Sequence, residues 1–135
     1  MRGLVMGLFH AGLDVHYVGE MTCPGVGPGD LLVLSWGPGR ISMVEALAGV
    51  ANRGGARLLY LTAQPQNPPA EQADNVVRIA AQAMADDRET AAVLPMDSAY
   101  EIALFVLLDL TNGVRRRSEL VEELRSHCCG RAIRT

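Results

Sequence analysis

Apolar and polar positions alternate in two different rhythms along the chain. Leu31-Leu32-Val33-Leu34 is an unbroken apolar run between Asp30 and Ser35. A run without polar alternation is the pattern of a strand covered on both faces, so Leu31 to Ser35 is predicted as a buried strand. Gly37-Pro38-Gly39 then makes a turn, and the spacing from Ser42 to Asn52 predicts a helix that Gly54-Gly55 ends. Arg57 to Thr62 reads as the next strand and Gln64 to Pro69 as a loop punctuated by proline. Ala70 to Ala73 reads as a short helix and Asn75 to Ile79 as a strand. Upstream, Leu4, Val5, Leu8 and Phe9 share one side of a helix over residues 2–12, with Gly12 as its C-cap. Val15 to Val18 is a short strand, and Glu20 to Gly29 a loop rich in Gly and Pro. Downstream, Ala80 to Ala92 is a polar, Ala-rich excursion. Asp97 to Arg117 is the longest helix, and Ser118 to His127 a final one. Strands alternating with helices at this spacing predict a single α/β domain with a parallel sheet over residues 1–135.

Two of these segments carry chemistry. The strand, Gly-rich turn and helix over Leu31 to Leu47 bring free backbone N–H groups and a helix dipole to the C-terminal edge of the sheet, where α/β proteins bind ligands. That points to a small anion such as a phosphate, with Ser35, Gly37 and Gly39 as contacts through hydroxyl and backbone N–H groups. A plain strand-to-helix turn needs the same glycines. Trp36 and Pro38 are poor phosphate-loop residues, since proline has no N–H to offer. Arg40 either meets the phosphate or pairs with Glu45 one turn on. The other segment is Ile102 to Leu110, apolar nearly all round, which predicts burial against a second subunit in a dimer or tetramer.

Composition narrows the field. The chain is 49% hydrophobic and 4% aromatic, so its core is aliphatic, and a net charge of −3 speaks against a nucleic-acid surface. Its twelve basic residues are all arginine, which excludes a Schiff-base or P-loop lysine within this chain. Cys23, Cys128 and Cys129 do not form a disulfide framework, and they imply a reducing compartment, the cytoplasm or an organelle. No run reaches the roughly 20 apolar residues of a membrane span. Met1 to Phe9 resembles a signal core only superficially, because no small-residue cleavage site follows. The His127-Cys128-Cys129 cluster lacks a second cluster at zinc-site spacing, so no metal is expected; His10 and His16 read as structural, and Arg115-Arg116-Arg117 as a complement to a helix dipole.

Four stretches resemble the SIS (sugar isomerase) family, and within it the 6-phospho-3-hexuloisomerases and the related plant SIS-family proteins. Met6-Gly7-Leu8-Phe9-His10-Ala11-Gly12-Leu13, with Val18-Gly19-Glu20-Met21-Thr22-Cys23-Pro24, is similar to "MRLxHLGL…VGExTTP". Gly29-Asp30-Leu31-Leu32 with Gly37-Pro38-Gly39 is similar to "GDLLI…SGSG", and closer to the plant form "SAGPG". Gly55-Ala56-Arg57 with Leu61-Thr62-Ala63-Gln64-Pro65 is the third stretch. Leu94-Pro95-Met96-Asp97-Ser98-Ala99-Tyr100-Glu101 with Ala103-Leu104-Phe105 is similar to "LPMGTxFExALxF". Together they span nearly the whole chain in order.

The resemblance implies a three-layer αβα sandwich around a five-stranded parallel sheet. It also implies homo-oligomers with the active site near a subunit interface, and a cofactor-free, metal-free interconversion of 3-hexulose 6-phosphate and fructose 6-phosphate through an enediolate. It implies an N-terminal truncation as well, because the family's first strand and its "GxGRSG" loop have no counterpart, and that strand lies inside the sheet. Its loss is expected to expose strand edges unless another chain fills the gap. On the family pattern Glu101 becomes the general base, against the alternative of a carboxylate that merely suits a helix start. Ser98 becomes a ligand contact or a helix cap. Glu20 helps position the sugar or is a solvated loop acid, and His127 shuttles protons or is an ordinary surface histidine. The reading is a sugar-phosphate isomerase of reduced activity, because Trp36 and Pro38 displace the serines of "SGSG". Its rivals are a non-catalytic phosphosugar-binding module and a truncated paralogue that acts only in oligomerisation.

Overall fold

A computed structural model describes residues 1–10, 12–37, 41–81, 98–114 and 133–134. Helix α1 (Arg2–His10) leads to β1 (Val15–His16); β2 (Leu31–Trp36) and α2 (Ser42–Gly54) follow, then β3 (Arg57–Thr62), α3 (Pro68–Glu71) and β4 (Asn75–Arg78). α4 (Ser98–Val114) and β5 (Ile133–Arg134) complete the described elements. The five strands form one parallel sheet in the order β1-β5-β2-β3-β4. Its centre is the β2–β3 ladder, in register from Leu31↔Arg57 to Trp36↔Thr62.

The two-residue period of β2 sorts its side chains between two layers. Leu31 and Val33 pack with Leu4 and Leu8 of α1 and with Tyr100, Leu104 and Leu108 of α4. Leu32 and Leu34 pack with Val44, Ala48 and Ala51 of α2 and with Leu58 and Tyr60 of β3. Helices therefore cover both faces, which is why the strand reads as a continuous apolar run. Each helix presents its buried residues at helical spacing: Val44, Ala48 and Ala51 on α2, and Tyr100, Leu104 and Leu108 on α4. The opposite side of α4 leaves Ile102, Phe105, Val106 and Leu110 exposed. α1 adds exposed Met6 and Phe9.

β5 narrows the open edge expected inside the sheet without closing it. The chain's own residues 133–134 lie between β1 and β2, pairing Ile133 with both Val15 and Leu31. On that side β2 has ladder partners for Leu31 and Leu32 alone among the described residues.

The turns are held by specific groups. α2 ends where Gly55, at φ 71°, gives its N–H to Asn52 and Ala56 gives its own to Ala51. Immediately before it, a Cβ on Gly54 would lie 2.6 Å from the Val26 carbonyl oxygen. Gly54→Ala should therefore force the Val26 loop away and cost about 1–3 kcal/mol, read as a lowered urea midpoint; an unchanged midpoint would show that loop to be slack. α3 starts two residues earlier than its sequence suggests. Asn67 accepts from the Ala70 N–H at 3.1 Å, and Pro68 and Pro69 occupy the first turn, where no N–H is needed.

Tyr60 is fully buried below α2, and burial pushes its phenol above the usual 10.0, partly offset by hydrogen bonds with Thr62 and Asn67. The folded state thus favours the neutral phenol. Below pH 10 both states keep the proton; above it the unfolded chain loses it first, so stability falls as pH rises. The slope is at most about 1.4 kcal/mol per pH unit from this group. Tyr60→Phe should flatten the decline of the urea midpoint between roughly pH 9 and 11. A variant that declines as steeply as the parent would clear Tyr60.

Candidate functional site

β1 lies to one side of β2 while β3 and β4 follow on the other, so the order of strands reverses beside β2. A crevice is expected at the C-terminal ends of the strands there. A cavity of ≈ 690 Å³ occupies that position. Tyr17 just beyond β1, Ser35 to Gly37 at the end of β2, and the start of α1 form its walls, and Glu101, Phe105 and Asp109 of α4 line its outer side. The volume suits a ligand of metabolite size.

One set of polar contacts in the cavity wall links three elements. The Tyr100 hydroxyl donates to the Leu61 carbonyl at 2.9 Å, and its oxygen lies 2.9 Å from Ser35 Oγ. Tyr100 is buried and Ser35 half-buried, so α4, β3 and β2 are pinned together at the floor of the cavity. Arg2 holds its guanidinium carbon 5.5 Å from the centroid of the Tyr17 ring, a cation–π arrangement that places positive charge at the mouth. Trp36 turns to the opposite face of the sheet from Ser35, packing toward α2, and its indole N–H is buried without a partner among the described residues. Ile41, the residue before α2, makes no side-chain cap to the first N–H groups of the helix.

Ser35, Gly37 and Glu101 thus line one cavity. Glu101 is exposed, in the first turn of α4. Ser98 opens that helix. Glu20 lies in the loop after β1, its N–H bonded to the Tyr17 carbonyl, and is not among the residues lining the cavity. Gly39, Arg40 and His127 lie outside the described residues, as do the helix read over Ser118 to His127 and most of the excursion read over Ala80 to Ala92. The histidines near the start include His16, whose Nε2 is 3.0 Å from Asp14 Oδ1, away from the cavity lining. Sequence reasoning missed Arg2, Tyr17, Tyr100 and Asp109. For Tyr100 a signal existed: it stands where the family pattern "LPMGTxFExALxF" has phenylalanine, and the added hydroxyl makes the contacts just described. Among the described residues no group of three or more His, Cys, Asp or Glu is placed to hold a metal ion. No helix among them is long and apolar enough to cross a membrane.

No family model matches the chain. Individual proteins do. The 3-hexulose-6-phosphate isomerase of Mycobacterium gastri is 37% identical over 109 residues, which is 81% of this chain and 55% of that protein. The 3-hexulose-6-phosphate isomerase of Methylomonas aminofaciens is 32% identical over 111 residues, 82% of this chain and 60% of that protein. The chain therefore spans little more than half the length of these relatives. Among solved structures, a hypothetical protein of Methanococcus jannaschii, for which a molecular function of 3-hexulose-6-phosphate isomerase was inferred, superposes with a TM-score of 0.71 at 25% identity. That match covers 93% of this chain and 68% of the other. A second hypothetical protein shares the fold with a TM-score of 0.75 at 23% identity. Shared sequence over four-fifths of the chain and a shared parallel α/β fold agree: over the part it spans, the chain resembles the 3-hexulose-6-phosphate isomerases of the SIS family.

Proposed function

We propose that the cavity at the end of β2 binds a sugar phosphate and isomerises it between the 3-hexulose and fructose 6-phosphate forms through an enediolate. The observation that carries this reading is the Glu101 carboxylate on the wall of a metabolite-sized cavity, in a chain whose relatives are 3-hexulose-6-phosphate isomerases. Glu101 takes the proton from the carbon beside the carbonyl and returns it to the neighbouring carbon, which requires a carboxylate within hydrogen-bond reach of both. The phosphate lies toward the turn that precedes α2, held by the backbone of Gly37 and Gly39, by Arg40 and by the N-terminus of the helix. Ser35 and Ser98 contact the ligand, and His127 shuttles a proton to a ring oxygen. The exposed apolar side of α4 pairs with a second copy of the chain, which brings sites close to an interface. No cofactor enters this scheme.

The test is hydrogen exchange. Fructose 6-phosphate incubated with the protein in heavy water should gain deuterium at C3, because the proton held by Glu101 exchanges with solvent before it is returned to the enediolate. Thermal stabilisation by fructose 6-phosphate without exchange would instead favour a phosphosugar-binding module, the reading supported by Trp36 in place of a phosphate-loop serine. Neither response would leave oligomerisation as the role.

A further inference from the structure

We propose that Tyr100 is a positioning residue that fixes Ser35 as a hydrogen-bond acceptor, so that the Ser35 hydroxyl recognises a ligand hydroxyl and not a phosphoryl oxygen. The proposal rests on the phosphosugar reading and assigns Ser35 to the sugar end of that ligand.

The argument is a count of protons. Tyr100 has one hydroxyl proton, and the Leu61 carbonyl, 2.9 Å away, can only accept. That bond therefore takes the phenolic proton. Ser35 Oγ also lies 2.9 Å from the same phenolic oxygen, so for that contact to be a hydrogen bond Ser35 must donate. Both hydroxyl protons are then committed inside the protein. What Ser35 retains are lone pairs, and Ser35 is half-buried in the cavity lining. A phosphate dianion brings lone pairs of its own and meets no donor there. A sugar hydroxyl brings a proton and completes the chain from ligand to Ser35 to Tyr100 to Leu61. Chains of this kind strengthen each member through mutual polarisation.

The charges agree. Glu101 and Asp109 line the cavity on its α4 side and oppose a dianion there, whereas they accept hydroxyl protons readily; the positive charge of Arg2 lies at the mouth. Turning the phenol toward Ser35 to free the serine proton would take from the Leu61 carbonyl, in the buried core, the bond it now has. A phenylalanine at position 100 could impose none of this.

Binding of fructose 6-phosphate and of inorganic phosphate to the full chain, measured by calorimetry, tests the assignment. Ser35→Ala should weaken fructose 6-phosphate roughly three- to tenfold, the worth of one hydrogen bond, and leave inorganic phosphate within about twofold. Tyr100→Phe should weaken fructose 6-phosphate by a similar factor, and in that background Ser35→Ala should add less than about twofold. Equal weakening of both ligands by Ser35→Ala would overturn the proposal, as would an undiminished Ser35→Ala effect beside Tyr100→Phe. Should Tyr100→Phe unfold the chain, the single Ser35→Ala variant still decides between hydroxyl and phosphate. If the parent chain bound no fructose 6-phosphate, the phosphosugar reading would fail and this proposal with it, a result distinct from retained binding with reversed selectivity.

Discussion

Glu101→Gln should lower the rate of deuterium entry into fructose 6-phosphate roughly 10²–10⁴-fold, the usual contribution of a positioned general base. Glutamine keeps the length and hydrogen-bonding reach of glutamate but removes the basic oxygen. The loss should appear in the chemical step, with ligand affinity changed only a few-fold. Because Glu101 is exposed in the first turn of α4, folding should be nearly indifferent, with unfolding free energy within about 0.5 kcal/mol of the parent. The pairing of a large kinetic effect with an unmoved melting temperature is what separates a base from a helix-start carboxylate. A rate within about threefold of the parent would remove Glu101 from the mechanism.

Leu58→Ala should have the largest effect on stability, about 2–5 kcal/mol. Leu58 has 0% exposure and sits where β3 faces α2, among Val44, Ala48, Ala51 and Ala56. Ala48, Ala51 and Ala56 have no longer side chain to swing into the space a leucine leaves, and Leu32, Leu34 and Tyr60 of the same cluster are held in the strands of the sheet. The cavity should therefore stay open, toward the upper end of that range. Set against the 5–15 kcal/mol of a typical domain, such a loss is a large fraction of the whole. A chemical denaturation curve provides the check; a cost below about 1 kcal/mol would mean that α2 settles onto the sheet. β3 also supplies the Leu61 carbonyl that holds Tyr100, so this damage should reach the cavity floor as well.

The centre of the sheet was legible because it obeys one strong rule. β3 runs from Arg57 to Thr62, as its apolar pattern predicts, and β2 exceeds its expected end by one residue, Trp36, which still pairs with Thr62. Margins were less legible because they depend on partners distant in sequence. β1 covers only Val15 and His16, since its ladder partner β5 is itself two residues long. Nothing in Ile133-Arg134 announces a strand; two residues have no period, and their conformation comes from the place they occupy between β1 and β2. α1 stops at His10, where Gly12, at φ 77°, turns the chain and gives its N–H to Phe9. At the site, Ser35, Gly37 and Glu101 converge on one cavity although 66 residues separate the first from the last. Glu20 sits apart from that cavity because the loop after β1 carries it beyond Tyr17. The link through Tyr100 was out of reach of any local pattern, as it joins three elements by their side chains and one carbonyl.

The narrow seam made by β5 has a consequence for motion. β1 is laddered to the sheet through β5, and Tyr17, next along the chain, carries Arg2 at the mouth of the cavity. Two residue pairs on either side of β5 are a small hold compared with the six-pair ladder of β2 and β3. Local opening follows the weakest such unit and leaves stronger ones intact. When residues 133–134 come away, β1 is left with side-chain packing alone, Leu13 and Val15 against the core, while the floor built on β2, β3 and α4 keeps its ladder and hydrogen bonds. The far end of the chain thereby becomes a thermodynamic hinge for a site to which it contributes no side chain among the described residues.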